Sequence, residues 1–311
     1  MAAHSHSHHE HHHAPHGHGP RAARHGGGRA LQAAALLTLA FAVVEAAGGW
    51  WTGSLALVSD AGHMVTDAAA LGLGALAAWL GRLPPSRRHS YGLGKAEIVA
   101  ALLNAAAMLA IVAWLAYEAV LRLREPQPVE GGVAALIALG GLVLNAFVLQ
   151  KLTPHAHDLN TRAARLHVIG DALGSIAALA AGVAIWATGW TRFDSLASLL
   201  IGVLIAVSAF RLLGESLHGL LEGVPHGLSV EAIGREMALV EGVKSVHDLH
   251  VWMLSGSRTA LSAHVVVGSL GHWDRTLAAL QQRLHDRFGI DHVTLQPESG
   301  TRPLLRHGAR P

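Results

Sequence analysis

Long apolar stretches fill most of the chain between residues 30 and 220, and they set the first reading. Near 30–50, 55–80, 96–121, 130–151, 161–188 and 195–216 the sequence stays apolar long enough to span a bilayer as helix, which takes about 20 residues. Breakers separate the runs: Gly48-Gly49 and Gly53-Ser54, Pro84-Pro85, Pro126 and Pro128, Thr153-Pro154, and the stretch 189–194. From about residue 224 the pattern changes. Residues 228–241 and 273–288 carry helical spacing, whereas 245–254, 258–267 and 291–297 alternate apolar and polar positions with many β-branched residues. The order α-β-β-α-β predicts a small open sheet with helices on one face. The expected fold is an α-helical membrane protein with six transmembrane helices and a C-terminal α+β, ferredoxin-like cytoplasmic domain. The expected divisions are a tail at 1–29, a membrane unit at 30–220, a cytoplasmic unit at 221–300 and a second tail at 301–311.

Charge places this molecule in the bilayer and orients it. Only 14% of residues are charged, against about a quarter in soluble domains. Arg21, Arg24 and Arg29 precede the first helix. Arg82, Arg87, Arg88 and Lys95 join helices two and three, and Lys151, Arg162 and Arg165 lie between four and five. The other side has only Arg122, Arg124 and Arg192. The bias predicts that both termini are cytoplasmic; a bacterial inner membrane suits such an Ala-, Gly- and Arg-rich chain. The basic residues are dispersed through loops, which argues against nucleic-acid binding.

Composition also narrows the chemistry. There is no cysteine, so any metal site uses His, Asp and Glu, a set that favours zinc and similar borderline ions. The first 29 residues are rich in His and Gly and read as a disordered, metal-collecting tail. His155 and His157 sit in a loop on the same side.

The second helix carries SDAGHMVTDAAALG, with His63 and Asp67 four residues apart; the fifth carries RLHVIGDALGS, with His167 and Asp171 at the same spacing. Residues four apart share a helical face. An ionised Asp near the bilayer centre costs roughly 2.5–3.5 kcal/mol, so two such pairs are hard to explain as packing. Together they supply two nitrogens and two oxygens, the ligand count of a tetrahedral zinc site. A single pair would read as an interhelical hydrogen bond. Glu45, Glu118 and Asn145 read as helix–helix contacts or as parts of an ion path, the former favoured. Asp60, one turn before His63, reads equally as a metal exit station or as a helix-start residue at the interface.

These blocks occur in a recognisable order: GSLALVSDAGHMVTD, HSYGLGKAEIVAALLN, YEAVLRL, LHVIGDALGS, DSLASLLIG, LLEGVP, HDLHVW and LSAHVVV. The chain resembles the cation diffusion facilitator family, in its zinc-transporting branch, from about residue 30 to 298. The resemblance implies a homodimer that exchanges cytoplasmic divalent metal for protons, with no cofactor and no catalysis. It places His63, Asp67, His167 and Asp171 at the transport-site positions between helices two and five. Two imidazoles there favour zinc, with cadmium and cobalt as further substrates. His89 matches one position of a loop site, but Ser86 and Leu93 stand where that site has Asp and His. His247, His264 and Glu298 match the cytoplasmic metal positions, where zinc would act as a regulatory ligand. Gln296 replaces a further His there, and Asp291 or His292 is expected to supply the missing donor. Two rival readings remain. A membrane metalloenzyme would need an open coordination position, commonly within His-Glu-x-x-His, and no such motif occurs. A membrane metal sensor or chaperone without transport would keep the cytoplasmic ligands and have no need of the intramembrane pairs.

Overall fold

The computed structural model describes residues 22–152, 159–256 and 258–300; for 22–35, 152 and 159–167 only the helical backbone is described. The two tails, His155 and His157 lie outside the described residues. Six long helices come first: α1 (Ala22–Thr52), α2 (Leu55–Gly81), α3 (Ala96–Arg124), α4 (Gly131–Leu152), α5 (Leu159–Thr188) and α6 (Arg192–Leu220). Helices α2 to α6 each contain a segment long and apolar enough to cross a membrane, and Leu36–Thr52 of α1 is a shorter apolar helix. Their outward faces are apolar: Leu71, Leu136, Val203 and Phe210 are exposed, as lipid-facing residues must be. Trp50, Trp51 and Trp186 are exposed near the ends of α1 and α5, where amphipathic rings match the membrane–water boundary.

Apolar side chains gain little from leaving lipid for a helix interface, so the bundle depends on close backbone approach and polar contacts. Small residues supply the approach. A Cβ on Gly182 of α5 would lie 2.7 Å from the Ala135 backbone nitrogen and 2.9 Å from the Gly131 carbonyl oxygen of α4. Ala134, Ala138, Ala178, Ala181, Ala197 and Ala209 continue this small-residue seam through α4, α5 and α6. A polar clamp supplies the rest. Asp194, in the first turn of α6, accepts hydrogen bonds from Ser54 Oγ (2.6 Å) and from the backbone N–H groups of Leu55 (2.6 Å) and Ala56 (3.3 Å). These are orphan donors at the start of α2, capped by a side chain from another helix. One turn further on, Ser59 Oγ and Ser198 Oγ are 2.6 Å apart. The two bonds sets fix the height of α2 against α6.

The C-terminal domain is α7 (Val230–Ala238), β1 (Val243–Ser255), β2 (Arg258–Val267), α8 (Trp273–Phe288) and β3 (His292–Ser299). The sheet order is β1-β2-β3, with β1 and β2 antiparallel and β2 and β3 parallel. Leu261, Ala263, Val265 and Val267 alternate along β2 and are buried in one core with Ile233 and Met237 of α7 and Leu280 and Leu284 of α8. The residues between them, Ser262, His264 and Val266, face away from that core. Pro297 is tolerated because β3 is an edge strand. The domain touches the bundle where β1 ends: a Cβ on Gly94, just before α3, would lie 2.8 Å from the Leu254 carbonyl oxygen. Lys95 also forms an ion pair with Glu222, beyond the end of α6.

Candidate metal centres

In the membrane, α2 and α5 bring three of the four expected donors together. His63 Nε2 lies 3.4 Å from Asp67 Oδ2 on its own helix and 3.6 Å from Asp171 Oδ1 on α5. These separations exceed an ordinary hydrogen bond. They match the ligand–ligand edge of a tetrahedron with bonds of about 2.1 Å, which is roughly 3.4 Å. Donor atoms of His63, Asp67 and Asp171 all lie within 4.8 Å of one another. Asp171 is buried, whereas His63 and Asp67 keep 17% and 20% of their side-chain surface, so the group has an open side. His167 lies on α5 one turn before Asp171; its side chain is outside the described residues.

The remaining intramembrane polar residues separate into two kinds. Glu118 accepts from Arg122 Nε at 2.9 Å in a part-buried pair one turn apart on α3, and Arg122 Nη1 donates to the Gly53 carbonyl oxygen at 2.7 Å. Asp60 is 1% exposed and accepts from Ser175 Oγ of α5 at 3.0 Å, and Asn145 Nδ2 of α4 donates to the same Ser175 oxygen at 3.3 Å. Asp60 is therefore no interfacial helix-start residue but a member of a buried network.

In the loop between α2 and α3, His89 is exposed and its backbone N–H turns back onto Ser86. It borders a cavity of about 700 Å³ with Arg88, Lys95, Tyr91 and Trp252. No group of three His, Asp or Glu donors among the described residues includes it.

The C-terminal sheet builds the other cluster. His247 of β1 pairs with His264 of β2, and His264 pairs with Gln296 of β3, so the three form a row across the sheet. Glu298, two residues along β3, shares the face of Gln296. Its Oε1 lies 2.8 Å from His264 Nδ1 and its Oε2 3.0 Å from His247 Nε2. These hydrogen bonds hold the Glu298 carboxyl below its ordinary range. The expected extra donor is not Asp291 or His292. Asp291 sits 2.5 Å from His285 Nδ1, keeping that imidazole protonated above its usual range, and His292 packs edge-on to Tyr91. Asp248 comes nearer, its Oδ2 3.9 Å from His264 Nε2, but its Oδ1 pairs with His250 Nε2 at 3.0 Å and it is not part of the three-donor group. Asp248 reaches there because β1 breaks register between His247 and His250 and turns Asp248 to φ +51°. No alternation in the sequence reveals such a bulge.

Comparison with known proteins agrees with both halves of the molecule. Residues 31–221 match the family model of the cation efflux transmembrane domain, and residues 225–300 match that of the cation efflux protein cytoplasmic domain. The chain is 40% identical to the zinc transporter ZitB of Escherichia coli (strain K12) over 95% of its own length and 92% of that protein's. It is 37% identical to the metal cation efflux system protein CzcD of Cupriavidus metallidurans, over 88% of each chain. With the cadmium, cobalt and zinc/H(+)-K(+) antiporter of Bacillus subtilis (strain 168) it shares 35% identity over 85% of this chain and 86% of the other. With six membrane helices, a small α+β domain and relatives along nearly its full length, the chain belongs to the cation efflux family, the cation diffusion facilitators, in their zinc-type branch.

Proposed function

We propose that the protein exports zinc from the cytoplasm in exchange for protons, through one tetrahedral site made by His63, Asp67, His167 and Asp171. The observation that carries this reading is the 3.4 and 3.6 Å spacing around His63 Nε2, which suits donors around one small dication. Names of relatives support the substrate class: a zinc transporter, a metal cation efflux protein and an antiporter of cadmium, cobalt and zinc. The metal enters at the open side of His63 and Asp67 and completes its shell on the buried Asp171. Imidazole binds metal only when neutral, so metal arrival expels protons and protonation of His63 drives metal release. Four protein donors leave no position for an attacking water, so the site carries and does not hydrolyse. Cadmium and cobalt accept the same donor set.

In this reading the molecule works as a homodimer in the bacterial inner membrane. Residues 30–220 form the conduit, 221–300 the dimerising cytoplasmic unit, and both termini are cytoplasmic, as the loop charges require. Zinc at His247, His264 and Glu298 regulates transport, while His89 is a transient contact on the way in. The test is zinc flux in proteoliposomes with a pH dye trapped inside. His63→Ala and Asp171→Ala each abolish zinc-driven proton movement; undiminished movement in both variants would falsify the site. A metal sensor or chaperone predicts no flux in the wild type.

A further inference from the structure

Behind the metal group lies a second set of polar side chains that the proposed transport site does not use. Glu45 of α1, Asp60 of α2, Asn145 of α4 and Ser175 of α5 are all buried, at 0, 1, 3 and 1% exposure. Ser175 lies one turn beyond Asp171 on α5, and Asp60 one turn before His63 on α2. Both steps lead toward the end of the bundle that carries Trp50, Trp51 and Trp186, opposite the Arg-rich loops. Asp60 is held as an acceptor by the Ser175 hydroxyl. Glu45 differs: neither of its carboxyl oxygens has a hydrogen-bond partner among the described residues. It points into the network, because a Cβ on Gly141 would lie 2.6 Å from Glu45 Oε1 and 3.3 Å from Ser175 Oγ. No Lys or Arg among the described residues pairs with Glu45 or Asp60.

A fully buried carboxylate without a donor is unfavourable, and the groups that face it make it more so. The titratable groups on that side are Asp60 from α2 and Asp171 from α5, with His63 and Asp67 beyond; α4 offers only the neutral Asn145. Two buried carboxylates on either side of the same Ser175 hydroxyl do not both stay ionised without a cation. Zinc is a poor candidate for that cation here. Asp60 Oδ2 already accepts from Ser175, and Asn145 presents its N–H group, which leaves too few acceptors for a tetrahedral shell. A proton needs only one.

We infer that Glu45 is a proton-carrying residue, separate from the metal ligands, that discharges when the transport site fills and recharges when it empties. With the site empty, the carboxyl is neutral. A dication at His63, Asp67 and Asp171 favours the ionised form through its field, so the O–H bond breaks, the carboxylate keeps the electron pair and water takes the proton. Ser175, beside the Glu45 carboxyl and hydrogen-bonded to Asp60, is the nearest group to relay that proton. Metal departure reverses the step. Proton counter-flow is thereby tied to metal occupancy by electrostatics, with no shared ligand.

This inference rests on the transport reading, and the experiment separates the two. Zinc is added to full-length protein in weakly buffered detergent, released protons are counted with a pH indicator, and zinc flux is followed in proteoliposomes against pH. Glu45→Gln is expected to bind zinc as the wild type does but to release fewer protons, by about one per transport site, and its flux loses one ionisation from the pH profile. Glu45→Asp, which keeps a carboxyl, retains the wild-type count. An unchanged count and profile in Glu45→Gln overturns the assignment while leaving zinc transport intact. A wild type without zinc flux overturns the transport reading itself. If Glu45→Gln does not fold, difference infrared spectroscopy on the wild type decides. A protonated-carboxyl band lost on zinc addition in the wild type and shifted in Glu45→Asp supports the assignment; no such band, or one that Glu45→Asp leaves in place, sinks it.

Discussion

At the scale of single residues, the proposed transport site makes ion choice and pH response depend on its donor atoms. His63 contributes the nitrogen that sits between two carboxylates, a softer donor that in the proposed site would favour zinc. Replacing it with Asp makes the donor set harder. His63→Asp is expected to lower zinc transport and to shift preference toward harder ions by about tenfold, roughly 1.4 kcal/mol of discrimination. Competition flux assays with paired metals read this directly, and an unchanged preference would place selectivity elsewhere. Glu298 gives a second prediction outside the membrane. Its carboxyl sits below the ordinary 4.5 because His264 and His247 hydrogen-bond to it. A depressed value means the contribution to stability is complete above pH 4.5 and disappears as pH falls through the lowered folded value. Thermal unfolding of metal-free protein should therefore show Glu298→Gln less stable than wild type near neutrality, with the gap closing under acid. The His63 and Asp67 pairing was legible in the sequence because helical periodicity puts residues four apart on one face. Asp248 was not, because its reach toward His264 comes from a local break in strand register.

Among the secondary elements, the same contrast between local and long-range information recurs. The six helices are visible in the sequence because lipid cannot satisfy backbone groups, so each crossing must be one continuous apolar helix. Expected and observed spans agree within a few residues for α2 to α6. The helical backbone of α1 begins earlier, at Ala22, and runs through Gly26-Gly27-Gly28, whose low helix propensity gave no signal for it. The cap of α2 was invisible, since Asp194 follows Leu55 by 139 positions and no short pattern connects them. Its role is nevertheless open to measurement. Asp194→Ala strips three hydrogen bonds from the start of α2 and leaves Leu55 N–H and Ser54 Oγ to find other partners. The expected loss is about 2–3 kcal/mol, read as a lower unfolding temperature in detergent. Asp194→Asn, which can accept one of those bonds, should recover part of it. Because His63 and Asp67 ride on α2, surviving protein should also bind zinc less tightly; an unaltered melting curve would show that the clamp is dispensable.

For the whole molecule, the two candidate metal centres lie in units that touch where the end of β1 meets the loop before α3. His247 lies on β1, and the far end of the strand, at Leu254 and Ser255, packs against Gly94 just before α3. A metal held by His247, His264 and Glu298 would join all three strands and stiffen the element that touches the bundle. The intramembrane donors, on α2 and α5, do not share that surface. Removing the cytoplasmic donors should then change the metal concentration at which transport responds and spare its ceiling. The double variant His247→Ala/His264→Ala is expected to keep a maximal zinc flux within about twofold of wild type while raising the half-saturating zinc concentration about three- to tenfold. That corresponds to roughly 0.7–1.4 kcal/mol of coupling, within the usual range for linked sites. By reciprocity, His63→Ala should weaken zinc binding at the sheet by a similar factor. Proteoliposome flux against zinc concentration gives the first number and equilibrium binding gives the second. Equal half-saturation in the double variant and the wild type would mean that the C-terminal cluster binds metal without informing the membrane domain.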